Sequence, residues 1–121
     1  MGTNNAAAST TGTPSSGNTD LGPATLRYTV DPGQVGMNQI NLYVRDPKTG
    51  RPYKDAKDVS ASISMPAAGI GPLPTELFEV GPGHYVNSAT EFTVAGQWTV
   101  TVTARTSRFD EDEATIRVPV G

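Results

Sequence analysis

Residues 98–105 read WTVTVTAR. Trp98, Val100, Val102 and Ala104 fall at every second position, and Thr99, Thr101 and Thr103 stand between them. A helix would repeat every 3.6 residues; a period of two belongs to an extended strand with one buried and one wet face. The phase puts Trp98 inward, as the central aromatic of a core. A sugar-stacking role would need it to face out.

The same period runs through most of the chain. TLRYTV (25–30) sets Leu26, Tyr28 and Val30 against Thr25, Arg27 and Thr29. NQINLYVR (38–45) sets Ile40, Leu42 and Val44 against Asn41, Tyr43 and Arg45, and VSASISM (59–65) sets Val59, Ala61, Ile63 and Met65 against three serines. EATIRVPV (113–120) closes the series with Ala114, Ile116, Val118 and Val120. ELFEV (76–80), HYVNS (84–88) and EFTV (91–94) are shorter candidates. DPKTG (46–50), GPG (81–83) and AGQ (95–97) between them are turn chemistry. No stretch shows a helical period. The pattern predicts an all-β, immunoglobulin-like antiparallel β-sandwich of about seven strands. Pro119 lacks a ladder donor and fits an edge strand or a frayed end.

With 121 residues the chain is sized for one domain. The first 22, MGTNNAAASTTGTPSSGNTDLG, carry almost no large apolar group to offset the entropy of ordering. They read as a disordered low-complexity linker, a spacer at a junction with an upstream membrane or signal segment, or a natural tail. The sandwich domain is then expected over 23–121.

Composition removes several function classes. The chain has no cysteine, which excludes thiolate metal sites, iron–sulfur clusters and cysteine nucleophiles. A net charge of −3, with nine Lys and Arg in no run, argues against a nucleic-acid partner. No apolar stretch approaches the roughly 18 residues of a membrane span, so direct membrane insertion is not expected. No Ser/His/Asp set, phosphate-cradling glycine loop or framed carboxylate pair stands out, and the expectation is that the protein is not an enzyme.

If consecutive strands run antiparallel, loops 31–37, 65–74 and 89–97 gather at one end of the sandwich. Loops 46–57, 81–83 and 106–112 gather at the other, roughly 17–25 Å away. Three side chains are metal candidates. Met37 and Met65 fall at the first end, and thioethers are soft ligands suited to Cu(I). Met65 also continues the inward phase of its strand, as a core gap-filler would. His84, the chain's one histidine, opens a strand at the far end and so belongs to a different site from the methionines. It is either a ligand or proton carrier, with Asp110 or Asp112 as nearby carboxylates, or a surface histidine that follows a Gly-Pro-Gly turn. The acidic run FDEDE (109–113) lacks the spacing of a calcium loop and reads as a solvated hairpin tip.

Five motifs together resemble the YtkA-like domain. They are Gly36-x-Asn38 before a strand, Asp46-x-x-x-Gly50-x-Pro52, Ser64-Met65-Pro66 with the glycine-rich loop to Gly71, Gly81-Pro-Gly-x-Tyr85, and Gly96-x-Trp98-x-Val100-x-Val102. The resemblance covers about residues 24–121. It is closest to the form found at the C-terminus of bacterial copper-transport proteins, after a CopD-like membrane domain. It implies an immunoglobulin-like, extracytoplasmic domain, periplasmic or at the cell surface. Such a domain is tethered to a membrane protein of the same parent chain and takes part in copper transport or resistance. Copper-binding relatives tend to read Met-Pro-x-Met-Gly-Met in the glycine-rich loop. Here MPAAGIG keeps only Met65, with Ala68 and Ile70 where further methionines would stand.

The expected function is an extracytoplasmic accessory domain of a copper-transport membrane protein, with weak copper binding at Met65, Met37 or His84. The alternative is a metal-free module that docks a membrane partner through a sheet face or the 65–74 loop. A carbohydrate-binding sandwich using Tyr43 and Tyr53 ranks behind both. A second soft ligand beside Met65 would favour the first; an exposed apolar AAGIGPL loop would favour the second.

Overall fold

The computed structural model describes residues 13–121. The alternation read from the sequence becomes β1 (Ser15–Leu21), β2 (Ala24–Asp31), β3 (Gly36–Arg45) and β4 (Lys57–Met65). After a 3₁₀ turn at Pro66–Ala68 come β5 (Ile70–Thr75), β6 (Phe78–Gly81), β7 (His84–Phe92), β8 (Gly96–Arg105) and β9 (Glu111–Val120). They form a five-stranded sheet in the order β1-β2-β3-β7-β6 and a four-stranded sheet in the order β5-β4-β8-β9. All pairings are antiparallel. The all-β sandwich is as expected, with nine strands among the described residues in place of about seven.

The two inner faces supply one core. Leu21, Leu26, Val30, Ile40, Leu42, Val44 and Phe92 come from the five-stranded sheet. Ala61, Ile63, Trp98, Val100, Val102, Ala104, Ala114, Ile116, Val118 and Val120 come from the four-stranded one. Trp98 is 0% exposed, its ring 5.1 Å from that of Phe92 in a tilted pair. Its indole N–H donates to the Val94 carbonyl at 2.9 Å, which satisfies the one polar group that a buried indole brings with it.

Two strands were not legible in the periodicity. The linker expected over 1–22 is corrected in its last part: residues 1–12 lie outside the described residues, but Ser15–Leu21 form β1. This strand buries only Leu21, and its order comes from a ladder of seven residue pairs with β2. Backbone hydrogen bonds do not show in a hydrophobicity pattern. At the turn Gly22 has φ +57°, and the Asp112 carboxylate fills the space a Cβ there would need. The other missed strand, β5, reads IGPLPT. Pro72 and Pro74 argue against a strand in general but are tolerated here, because β5 is a sheet edge. β9, which contains Pro119, is the opposite edge of the same sheet, as anticipated. The candidate EFTV is split: Glu91 and Phe92 finish β7, and the rest is loop.

Alternate strand directions bring loops 32–35, 66–69 and 93–95 to one end, called here the apolar end. The connections 46–56, 82–83 and 106–110 meet at the other, the charged end. This is the division expected from the sequence.

Candidate functional site

The five motifs are first of all turn chemistry. Asn38 is 2% exposed and ties down the loop before β3. Its Oδ1 accepts from the Gly33 and Gln34 amides at 2.7 and 3.3 Å, and its Nδ2 donates to the Gln34 and Gly36 carbonyls at 2.8 and 2.9 Å. Asp46 caps the next turn through the Lys48 amide at 2.8 Å, Gly50 closes it onto the Asp46 carbonyl at 2.8 Å, and Pro52 bridges back to Arg45. The Gly83 carbonyl accepts from the Val44 amide at 2.8 Å, which holds the β6–β7 turn against β3. Gly69 ends the 3₁₀ turn in the left-handed region, its amide donating to the Pro66 carbonyl.

The structure separates the three metal candidates. Met37 is 62% exposed on the outer face of the five-stranded sheet, opposite Glu91 of β7. Met65 lies on the inner side of the four-stranded sheet, half-buried and packed against the core. Its Sδ lies 3.5 Å from the place a Cβ on Gly96 would occupy. The thioethers share an end of the sandwich but point to opposite sides of the five-stranded sheet.

His84 sits opposite Tyr43, six residues along β3 from Met37, or roughly 20 Å at strand rise. Its surroundings are specific. Its Nε2 is 2.8 Å from Asn41 Oδ1, an oxygen that accepts from Nε2 in the tautomer protonated there. The ring stacks on Tyr43, with centroids 4.2 Å apart and planes 18° apart, and the Arg45 guanidinium lies 5.3 Å from the Tyr43 centroid. Asn41, Tyr43 and His84 thus form one polar-aromatic cluster on the outer face. Tyr43 is engaged by His84 and Arg45 in it, and Tyr53 packs against the core.

Neither carboxylate proposed as a partner of His84 approaches it. Asp112 accepts from the Thr106 hydroxyl, and Asp110 accepts from the Ser107 hydroxyl at 2.7 Å. Both belong to the β8–β9 hairpin, across the sandwich from β7. Among the described residues no group of three His, Asp or Glu side chains is placed to hold a metal ion. Next to His84, Tyr85 turns inward, and burial, with the charge of Glu79 across the strand, pushes its phenol above the usual range.

The fold also gathers the basic residues in a way that linear reading missed. No Lys or Arg occurs between Lys57 and Arg105. Arg45, Lys48, Arg51, Lys54, Lys57, Arg105 and Arg108 all lie at the charged end, seven of the nine basic residues. The apolar end exposes Val35, Met37 and Val94, and the 66–74 segment beside it exposes Leu73. The signal was available: assigning loops 46–57 and 106–112 to one end already brings their basic residues together.

The profile of the YtkA-like family matches residues 23–103, two-thirds of the chain. Comparison with curated proteins and with solved structures returned no match. The matched span contains all five turn motifs and both Met37 and Met65, and the chain belongs to the YtkA-like family.

Proposed function

We propose that this is an extracytoplasmic, non-catalytic accessory domain of a bacterial copper-transport or copper-resistance membrane protein, and that it acts by docking to its membrane partner. The copper context and the location rest on the resemblance of the five motifs to domains that follow a CopD-like membrane segment. The docking role rests on one observation: the end formed by loops 32–35, 66–69 and 93–95 exposes Val35, Met37 and Val94 and carries no Lys or Arg. Phe78 and Val80 are exposed on β6 and Phe109 at the charged end. Val35, Met37 and Val94, by contrast, lie in or beside loops that gather at one end, and grouped exposed apolar side chains mark an interaction surface. The segment after Met65 is exposed at Pro66–Gly69 and Gly71–Pro74, the feature expected of the docking alternative. Copper carriage gains less support, because Met37 and Met65 point to opposite sides of a sheet and His84 is remote from both.

The test is a triple substitution, Val35→Ser, Met37→Ser and Val94→Ser, placed in the parent membrane protein. All three side chains are exposed, so thermal unfolding of the domain should barely change. Loss of copper tolerance with the domain still folded is the expected result. Full tolerance would overturn the docking role of this end. Loss caused by Met65→Leu alone would favour metal carriage.

A further inference from the structure

At the charged end, the start of β4 and the β8–β9 turn enclose a cleft of about 400 Å³ lined by Asp55, Lys57, Arg105, Thr106, Ser107 and Arg108. Three cations face one carboxylate there, on a chain whose net charge is −3. Arg105 is already paired with Asp58 at 3.4 Å. Lys57 and Arg108 have no ion-pair partner among the described residues. The hydroxyls of Thr106 and Ser107 are committed to Asp112 and Asp110, so the polar walls are fixed rather than adaptable.

The backbone around the cleft is specifically shaped. β4 bulges between Lys57 and Ser60 in its pairing with β8, and Asp58 sits at φ +52°. Bulges redirect side chains at sheet ends, and Asp is among the few non-glycine residues that adopt the left-handed region readily. Opposite, the hairpin tip is tied by the Thr106 amide to the Asp110 carbonyl and by the Phe109 and Asp110 amides to Ser107 Oγ. The tied tip carries Arg108 on the cleft wall and holds Phe109 outward at 90% exposure.

We infer that this cleft binds an oxyanion of the phosphate or carboxylate class, with Lys57 and Arg108 as its ligating cations. A guanidinium fork and an ammonium are the side chains suited to such a group. The volume suits a small ligand or a headgroup rather than a buried peptide. Asp58 pairs with Arg105 on the wall, Asp55 is the carboxylate on the lining itself, and Asp110 and Asp112 stand behind Ser107 and Thr106.

The experiment is a titration of the full ¹⁵N-labelled chain with inorganic phosphate, at ionic strength held constant with sodium chloride. Saturable shifts confined to the amides of 55–58 and 105–110 are expected. Lys57→Gln with Arg108→Gln should weaken binding about tenfold or more, the loss of two charge-assisted contacts. Asp55→Asn should tighten it, an outcome that a damaged fold cannot imitate. Shifts no larger than those from chloride, or shifts indifferent to the double substitution, would overturn the site. A second arm locates the source of the anion. Co-sedimentation with phosphatidylglycerol vesicles but not with phosphatidylcholine, competed away by inorganic phosphate, assigns a lipid headgroup. Phosphate binding without sedimentation assigns a free anion.

Discussion

The terminal methyl of Met65 occupies the space in which a Cβ on Gly96 would stand. Gly96 adopts φ +138°, where side chains are strained whatever the room. Gly96→Ala therefore meets both a backbone penalty and a clash, and should destabilise the fold by about 1–3 kcal/mol. Met65→Ala, at a half-buried position, should cost about 1–2 kcal/mol, less than a full core deletion. Together they should be less damaging than their sum, because the second removes the atom that the first strikes. Chemical denaturation of the four proteins in the cycle measures that coupling.

Asn38 uses both ends of its amide, and no other side chain can replace both. Asn38→Ala should cost about 2–4 kcal/mol, since it leaves buried backbone groups unpaired. Asn38→Asp turns a donor into an acceptor facing the Gln34 and Gly36 carbonyls, which should raise the new carboxyl's pKa in the folded state. A group with a raised folded pKa contributes its stability below the unfolded value and loses it as pH rises through the folded one. The Asp variant should thus approach wild-type stability in acid and fall away toward neutral pH, as urea midpoints across pH would record.

Tyr85 gives a second pH dependence of the same sign. Its phenol is held above the ordinary value, first by burial and then by Glu79. Stability from the protonated phenol is complete below the unfolded pKa of about 10 and is lost as pH rises through the folded one. Subtracting the ultraviolet phenolate titration of Tyr85→Phe from that of the parent chain should reveal a phenol that ionises above the free-tyrosine range. Glu79→Gln should bring that value down by the smaller of the two contributions.

Strands that bury a regular apolar face were legible residue by residue. Trp98, Ile40, Leu42, Val44 and the β9 series all point where their phase put them. β1 was not legible, because its order comes from backbone pairing and one leucine. β5 was hidden by two prolines that only an edge position excuses. At the candidate sites, the remoteness of His84 from the methionines followed from strand direction alone. The facing of Met37 away from Met65 needed the sheet assignment, since phase within a strand does not say which side the other sheet covers. The Asn41–Tyr43–His84 cluster depends on cross-strand register, which turn spacing did not supply.

If the domain docks through its apolar end, as proposed, Met37 and Met65 do not carry copper between them. The most direct test is a Cu(I) titration of the folded domain against a competing chelator, followed through the Met37 and Met65 methyl resonances. The expected result is that the two methyls do not shift together and that neither saturates at one equivalent of metal. Joint saturation of both at one equivalent would contradict it, because the separated thioethers would then have converged on a single ion.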